Sequence, residues 1–278
     1  MSWPVVARKE FADAVRSRLL WGVVAFVTAM VSVTFLLPLA VPILDAGVLS
    51  ALGGASEFAS MLVPVVALVA AYLAVAGERE SGSLRLLLGL EPSRRSIILG
   101  KFLGRSAVVV AGLGLGFVLA GVVAVAVYGT LPVAAFLAVV ALTAALGVSF
   151  VGIAIGISAA TPTRSRAMTV GIAAYLALAL LWDLVPQGAH LVVFGAPPSG
   201  AVPAWFVFLQ GVSPSGAYSA LVMNVVHAAD ATLPSATAGI DGAAPFFVQS
   251  RAFIAVLVAW TVVPLVVGAV LFERADLN

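Results

Sequence analysis

Six apolar runs, each about the length a helix needs to cross a bilayer, constrain this chain more than any other feature. A hydrocarbon core near 30 Å, divided by about 1.5 Å of helical rise per residue, asks for roughly 20 apolar residues. Segments 19–41, 58–76, 106–128, 134–159, 167–185 and 252–272 meet that need, and none carries Lys, Arg or Glu in its central portion. Pro38, Pro64 and Pro264 fall inside three of them, which membrane helices tolerate when neighbouring groups satisfy the freed backbone. The chain is 63% hydrophobic and 9% charged, too few polar residues to coat a water-soluble fold, where about 25% charged is usual. The first run outlasts the roughly 7–15-residue core of a cleavable signal, so we read it as a retained first helix. Cysteine is absent, which removes disulfides, thiolate metal sites and cysteine nucleophiles.

Orientation follows from the basic residues. Arg8, Lys9, Arg16 and Arg18 precede the first run. Arg79, Arg85, Arg94, Arg95, Lys101 and Arg105 lie between the second and third, Arg164 and Arg166 between the fourth and fifth, and Arg274 after the sixth. Only Arg251 falls on the opposite side. The positive-inside rule then places both termini in the cytoplasm of a cell-membrane protein. The outer side carries Asp45, Glu57, Asp183, Asp230 and Asp241, and the one long outer connection runs over 186–251. Its apolar patches, such as Leu191 to Phe194 and Trp205 to Leu209, suggest short interfacial or re-entrant pieces, with Tyr218 to Ala229 as a helical one. The expected fold is a single all-α integral membrane domain with six transmembrane helices, an N-terminal amphipathic interfacial helix and a short cytoplasmic coupling helix.

The interfacial helix is read over 3–18. At 100° per residue Trp3, Ala7, Phe11, Ala14 and Val15 gather on one side, with Lys9, Asp13, Arg16 and Ser17 opposite. A basic helix with an aromatic apolar face suits the membrane surface; the plainer alternative is a charged flank that only sets topology. The loop over 78–105 carries more. Ser81 or Ser83 can cap a short helix bearing Leu84, Leu87 and Leu88, and Gly89 is a natural stop. Glu91-Pro92-Ser93 makes a turn, and Ser93 can cap the helix that runs into the membrane. A short helix, apolar on one side and held below the bilayer, suits docking into a groove of a cytoplasmic partner. A solvated basic loop is the alternative, and the Leu84 to Leu88 cluster argues against it because water is a poor home for it.

The pattern Glu78-Arg79-Glu80-Ser81-Gly82-Ser83-Leu84, followed by a leucine run, Pro92-Ser93-Arg94-Arg95 and Leu99-Gly100-Lys101, resembles the permease subunits of the type-two ABC exporter family. Ala7-Arg8-Lys9-Glu10-Phe11 with Arg16-Ser17-Arg18 resembles that family's opening helix. Within the family the chain is similar to the branch that includes permeases of copper and nitrous-oxide-reductase maturation systems. The sequence departs from the family pattern at Ser83, where Thr is commoner, and at Glu91, which separates the leucine run from Pro92. The resemblance implies two six-span permease subunits, identical or not, each served by a separate cytoplasmic ABC ATPase subunit that holds the ATP and Mg; no cofactor is expected in this chain and no nucleic-acid partner. It also implies that partner docking falls on Glu78, Arg79, Glu80, Gly82, Ser83, Leu84, Arg85, Leu87, Leu88, Arg94 and Arg95, with Trp3, Phe11, Arg16 and Arg18 on the membrane-surface helix.

Other motifs dissolve on inspection. Leu99-Gly100-Lys101-Phe102 has Arg95 where a phosphate-binding loop needs glycine and Phe102 where it needs Ser or Thr. An active transporter of this kind therefore draws energy from outside the chain. Gly112, Gly114 and Gly116 lie inside a span, where helix packing is the better reading than a dinucleotide turn. Gly112 with Gly116, Gly152 with Gly156 and Gly100 with Gly104 have the four-residue spacing that lets helices approach closely. His190 and His227 fall in the outer loop near Met223; a metal site there stands against unrelated surface residues. Ser149 has no intramembrane histidine to activate it, which leaves no enzyme chemistry. A secondary transporter or channel is the alternative function, and Asp183, near an outer helix end, is its nearest candidate for an intramembrane acid.

Overall fold

The computed structural model describes residues 3–16, 18–41, 47–81 and 93–275, with the side chains at 14–19 outside that description. The described chain is helical, with one isolated parallel bridge between Val202 and Ile240. In order, α1 is Trp3–Arg16, α2 Arg18–Ala40, α3 Val48–Ala71, α4 Ala76–Glu80, α5 Arg94–Tyr128 and α6 Val133–Ala160. Then follow α7 Arg164–Tyr175, which continues as a π turn over Leu176–Leu180, α8 Leu184–Phe194, α9 Ala204–Gln210, α10 Pro214–Ala229 and α11 Ser250–Arg274. Among the described residues five helices are long and apolar enough to cross a membrane, or as many as seven if two bent pairs each count as one span. Those pairs are α7 with α8, bent by 54°, and α9 with α10, bent by 116°.

The boundaries differ from the sequence expectation for physical reasons. The second apolar run was expected over 58–76, but α3 already starts at Val48 and stops at Ala71. Glu57 therefore lies inside the helix rather than at its edge; a hydropathy window ends at a carboxylate, whereas a helix continues through one whose side chain is exposed. The third run was expected from 106, yet α5 begins at Arg94 and holds 35 residues, about 52 Å at the standard rise. Ser93 caps it by accepting a hydrogen bond from the Ser96 N–H at 3.2 Å, which leaves Arg94, Arg95, Lys101 and Arg105 in its first turns. The fifth run breaks at Leu181–Asp183, so 167–185 is not one straight helix. Finally, the stretch 186–251 is largely structured: α10 buries Ala217, Tyr218, Leu221 and Val222 among α3, α6 and α11.

Small residues decide which helices touch. A Cβ at Gly112 would lie 2.8 Å from Val23 Cγ1, and one at Gly116 2.7 Å from Val27 Cβ, so these two glycines seat α2 on α5. A Cβ at Gly152 would lie 2.6 Å from the Thr261 carbonyl oxygen, and one at Gly156 would overlap the Pro264 carbonyl, so α6 and α11 meet backbone to backbone. With the backbones this close, Ser149 donates to the Leu257 carbonyl at 3.0 Å and lies 3.0 Å from the Thr261 hydroxyl. Tyr218 is wholly buried and pairs with the Thr143 hydroxyl at 2.9 Å, which pins α10 to α6.

The pair α9 and α10 forms a hairpin whose tip lies inside the bundle. Trp182 donates its indole N–H to the Leu209 carbonyl and Trp260 to that of Val212, both at 2.8 Å. Ser215 donates to the Ser60 carbonyl at 2.9 Å, and Ser213 caps α10 through the Gly216 N–H. The other end of α10 stays near the start of α11, where Asn224 donates to Ser250 at 3.1 Å. Irregular backbone at membrane depth needs such partners, because lipid offers none.

Between α3 and α4 the chain makes a turn at Tyr72–Val75. The N–H groups of Val75 and Ala76 both donate to the Ser158 hydroxyl of α6, each at 3.0 Å, and Ser158 is fully buried. Ser158→Ala strands both donors in a buried site, and the expected loss is about 1–3 kcal/mol of stability per orphaned group at most. Thermal unfolding in detergent checks this; a melting temperature equal to wild type would show that water or a neighbour replaces the hydroxyl.

Candidate functional site

The two motifs that carry the family resemblance, 5–18 and 78–105, meet in space. On α5, Gly100 and Gly104 stand one turn apart and receive α1 so closely that a Cβ at either would lie 2.6 Å from Val6 Cβ or Glu10 Cβ. That seats Glu10 beside Lys101 and Arg105, which share the Gly104 face of α5 by helical spacing. Lys101 is 1% exposed. Its ammonium donates to Glu10 Oε1 at 2.8 Å and to Glu78 Oε1 of α4 at 2.6 Å. Arg105 Nη2 holds the second oxygen of Glu10 at 2.8 Å. Two carboxylates and two cations thus close a neutral cluster joining α1, α4 and α5. Burial pushes the Glu10 carboxyl up, but the attractions of Lys101 and Arg105 outweigh that and hold it below the usual carboxylate range.

A second set of contacts grips α4 from the opposite side. Arg164, first residue of α7, donates through its guanidinium to the Gly77 carbonyl at 3.1 Å, and its N–H donates to a Glu80 carboxylate oxygen at 2.7 Å. With Ser158 behind it, α4 is therefore held by α5, α6 and α7 at the point where the chain enters segment 82–92. The exit from that segment is tied as firmly. Arg94 donates to the carbonyls of Phe272, Glu273 and Ala275 at 2.7, 3.0 and 2.9 Å, and its guanidinium lies 5.5 Å from the Phe272 ring centre. Arg95 pairs with the Glu273 carboxylate. One turn of α11 is thus capped by the first turn of α5, where cations offset unpaired carbonyls.

The sequence-derived site residues fall unevenly. Glu78, Arg79 and Glu80 form most of α4, and Arg94 and Arg95 open α5. Gly82, Ser83, Leu84, Arg85, Leu87 and Leu88 lie outside the described residues. Trp3 and Phe11 are exposed at 44% and 37%, and the face of α1 that packs on the protein is Val6, Ala7 and Glu10. The periodicity of α1 had grouped Ala7 with Trp3 and Phe11; α5 instead takes the adjoining strip, because its glycines leave room there. Arg16 ends α1 and Arg18 begins α2, with their side chains outside the description. Sequence reasoning missed Lys101 as the shared partner of Glu10 and Glu78. The available signal was a lysine flanked by glycines four apart at the mouth of an apolar run. Among the histidines, His190 donates from Nδ1 to the Ala196 carbonyl at 3.0 Å and stacks near Phe194 and Phe206, while His227 donates to Leu233.

The chain belongs to the ABC-2 family of transporter proteins, whose sequence profile matches residues 4–277. It is a multi-pass membrane protein of the ABC transporter permease type. It is similar to the "Probable ABC transporter permease protein NosY" of Pseudomonas aeruginosa, 30% identical over 189 residues that cover 64% of this chain and 67% of that one. The protein of the same name from Stutzerimonas stutzeri is 26% identical over 275 residues, 97% of each chain. The family resemblance drawn from residues 5–18 and 78–105 is thereby borne out.

Proposed function

We propose that this chain is the membrane-spanning subunit of an ATP-driven exporter of the cell membrane, worked by a separate cytoplasmic ABC ATPase subunit and paired with a second permease subunit, identical or different. The observation that carries the reading is the Glu10–Lys101–Glu78 junction, which ties segment 82–92 at its root to α1, α5 and, through α4, to α6 and α7. A push on that segment by a closing ATPase would reach four helices at once. The exit through Arg94 would carry the same push into α11.

Six crossings fit these contacts. The root of α4, the start of α5, the start of α7 and the end of α11 share one end of the bundle, so α9 and α10 return to the side they left. The basic residues concentrate at this end, and the positive-inside rule makes it cytoplasmic, with both termini there. Trp3 and Phe11, left uncovered by the protein, suit the lipid headgroup region. ATP and Mg belong to the ATPase, and this chain contributes docking through Leu84, Leu87 and Leu88 with Arg79 and Arg85 around them. A secondary carrier or channel would leave that leucine cluster without a client.

Replacing Leu84 and Leu87 together with Asp tests the assignment. Copurification of the ATPase subunit, strong with wild type, is expected to fall at least tenfold, as loss of two apolar anchors of roughly 1–2 kcal/mol each implies. Undiminished copurification and transport in this double variant would remove the coupling role.

A further inference from the structure

We propose that the cleft at the tip of the α9–α10 hairpin is a binding site for an organic cation, a ligand with an amine or quaternary ammonium group on an apolar body. The cleft encloses about 650 Å³ between α3, the π turn that precedes Asp183, and the hairpin tip. That volume lies in the range of roughly 300–1,000 Å³ found for small-molecule sites. It opens at the end of the bundle opposite the Lys101 cluster.

Its charge is one-sided. Glu57 and Asp183 both line it, and no lysine or arginine does among the described residues. Glu57 stands nine residues beyond Val48, about 14 Å along the helix, and is exposed to the cleft rather than buried among side chains. Asp183 precedes α8 but makes no cap hydrogen bond with its side chain. The Gln210 amide adds a third polar group at the tip. Glu57, Asp183 and Gln210 make no side-chain hydrogen bond or ion pair with the described residues, whereas the frame around them is tied together through Trp182, Trp260, Ser213 and Ser215. A rigid frame with unspent polar groups is the arrangement of a preformed site. The remaining wall includes Met61, Leu178 and Met223, adaptable apolar surface that accepts ligands of varied shape. A bare metal ion fits less well, because no three carboxylate or imidazole side chains converge among the described residues. A π turn beside the acid agrees with the frequent placement of such turns at functional sites.

This site would lie on the release side of the exporter and in that respect rests on the permease reading, but its test does not. The full chain, without an ATPase subunit, is placed in nanodiscs of phosphatidylcholine, and ethidium binding is followed by fluorescence polarisation against empty discs. Saturable binding is expected. Glu57→Gln and Asp183→Asn should each weaken it about five- to tenfold, and the double variant should abolish it, since each removes one charge partner of the ligand. The anion 1-anilinonaphthalene-8-sulfonate should not compete. Neither side chain is bonded in the fold, so the variants should unfold at the wild-type temperature. Absence of saturable binding, equal affinity in the double variant, or competition by the anion would each overturn the site. Ethidium binding retained alongside failed ATPase copurification would count against the permease reading alone.

Discussion

Lys101→Met is expected to destabilise the protein by about 3 kcal/mol, the lower part of the range for breaking a buried ion pair. The side chain of Lys101 is 2% exposed, and those of Glu10 and Glu78 are 11% and 26% exposed. Removing the ammonium leaves two carboxylates facing each other with Arg105 as the remaining partner of Glu10. Glu78 retains some access to water, which keeps the loss from reaching the top of the range. The junction also has a definite pH signature. Because the Glu10 carboxyl is held below its ordinary value of 4.5, its ionised pairing stabilises the fold fully above about pH 4.5 and is lost as pH falls through the depressed folded value. In Lys101→Met the largest attraction is gone, burial dominates, and stability should begin to fall at a higher pH than in wild type. Thermal unfolding in detergent between pH 4 and 8 checks both parts. Parallel curves for the two proteins would mean that the cluster is not coupled as its distances indicate. Adding Glu10→Gln to the lysine variant should recover part of the loss, since neighbours in one network are not additive.

Gly156→Ala should destabilise at least as much as an overpacked core substitution, about 1–3 kcal/mol or somewhat more. The added Cβ meets the carbonyl of Pro264, and its neighbour Gly268 faces the Gly156 carbonyl at equally close range. Backbone stands on both sides of the contact, so no side chain can swing aside; α6 and α11 must separate. Separation also stretches the bonds from Ser149 to Leu257 and Thr261. Gly152→Ala should behave alike, because its Cβ would lie 2.6 Å from the Thr261 oxygen. Gly114→Ala is the control. Nothing lies within 4 Å of a Cβ there, and alanine is the better helix former by about 1 kcal/mol, so this variant should be neutral or more stable. If Gly156→Ala melted with Gly114→Ala, the close crossing of α6 and α11 would be wrong.

Local physics made much of this legible beforehand. Five of the six apolar runs lie in helices long and apolar enough to cross a membrane, since in lipid a helix satisfies its own backbone. The basic residues follow a topological rule that is also local, and glycines four apart announce a close crossing without saying with which partner. For Gly112 and Gly116 the partner proved to be α2, and for Gly152 and Gly156 it proved to be α11. Where the reading slipped, a carboxylate or a bend was responsible. Glu57 ended the expected second run because an isolated sequence window cannot see the cleft that accepts it. The hairpin of α9 and α10 was read only as short pieces, because its tip is held by Trp182 and Trp260 from distant helices.

The amino-acid sequence alone thus determined that this chain inhabits a bilayer, where along it the basic residues cluster, and which family it belongs to. Tertiary structure alone decided that Glu10, Glu78 and Lys101 share one buried cluster, and that Glu57 and Asp183 open into one cleft. The reason is range. Hydropathy and helical periodicity act over a few turns of chain, whereas an ion pair or a cleft joins residues tens to more than a hundred positions apart, and only packing brings them within reach.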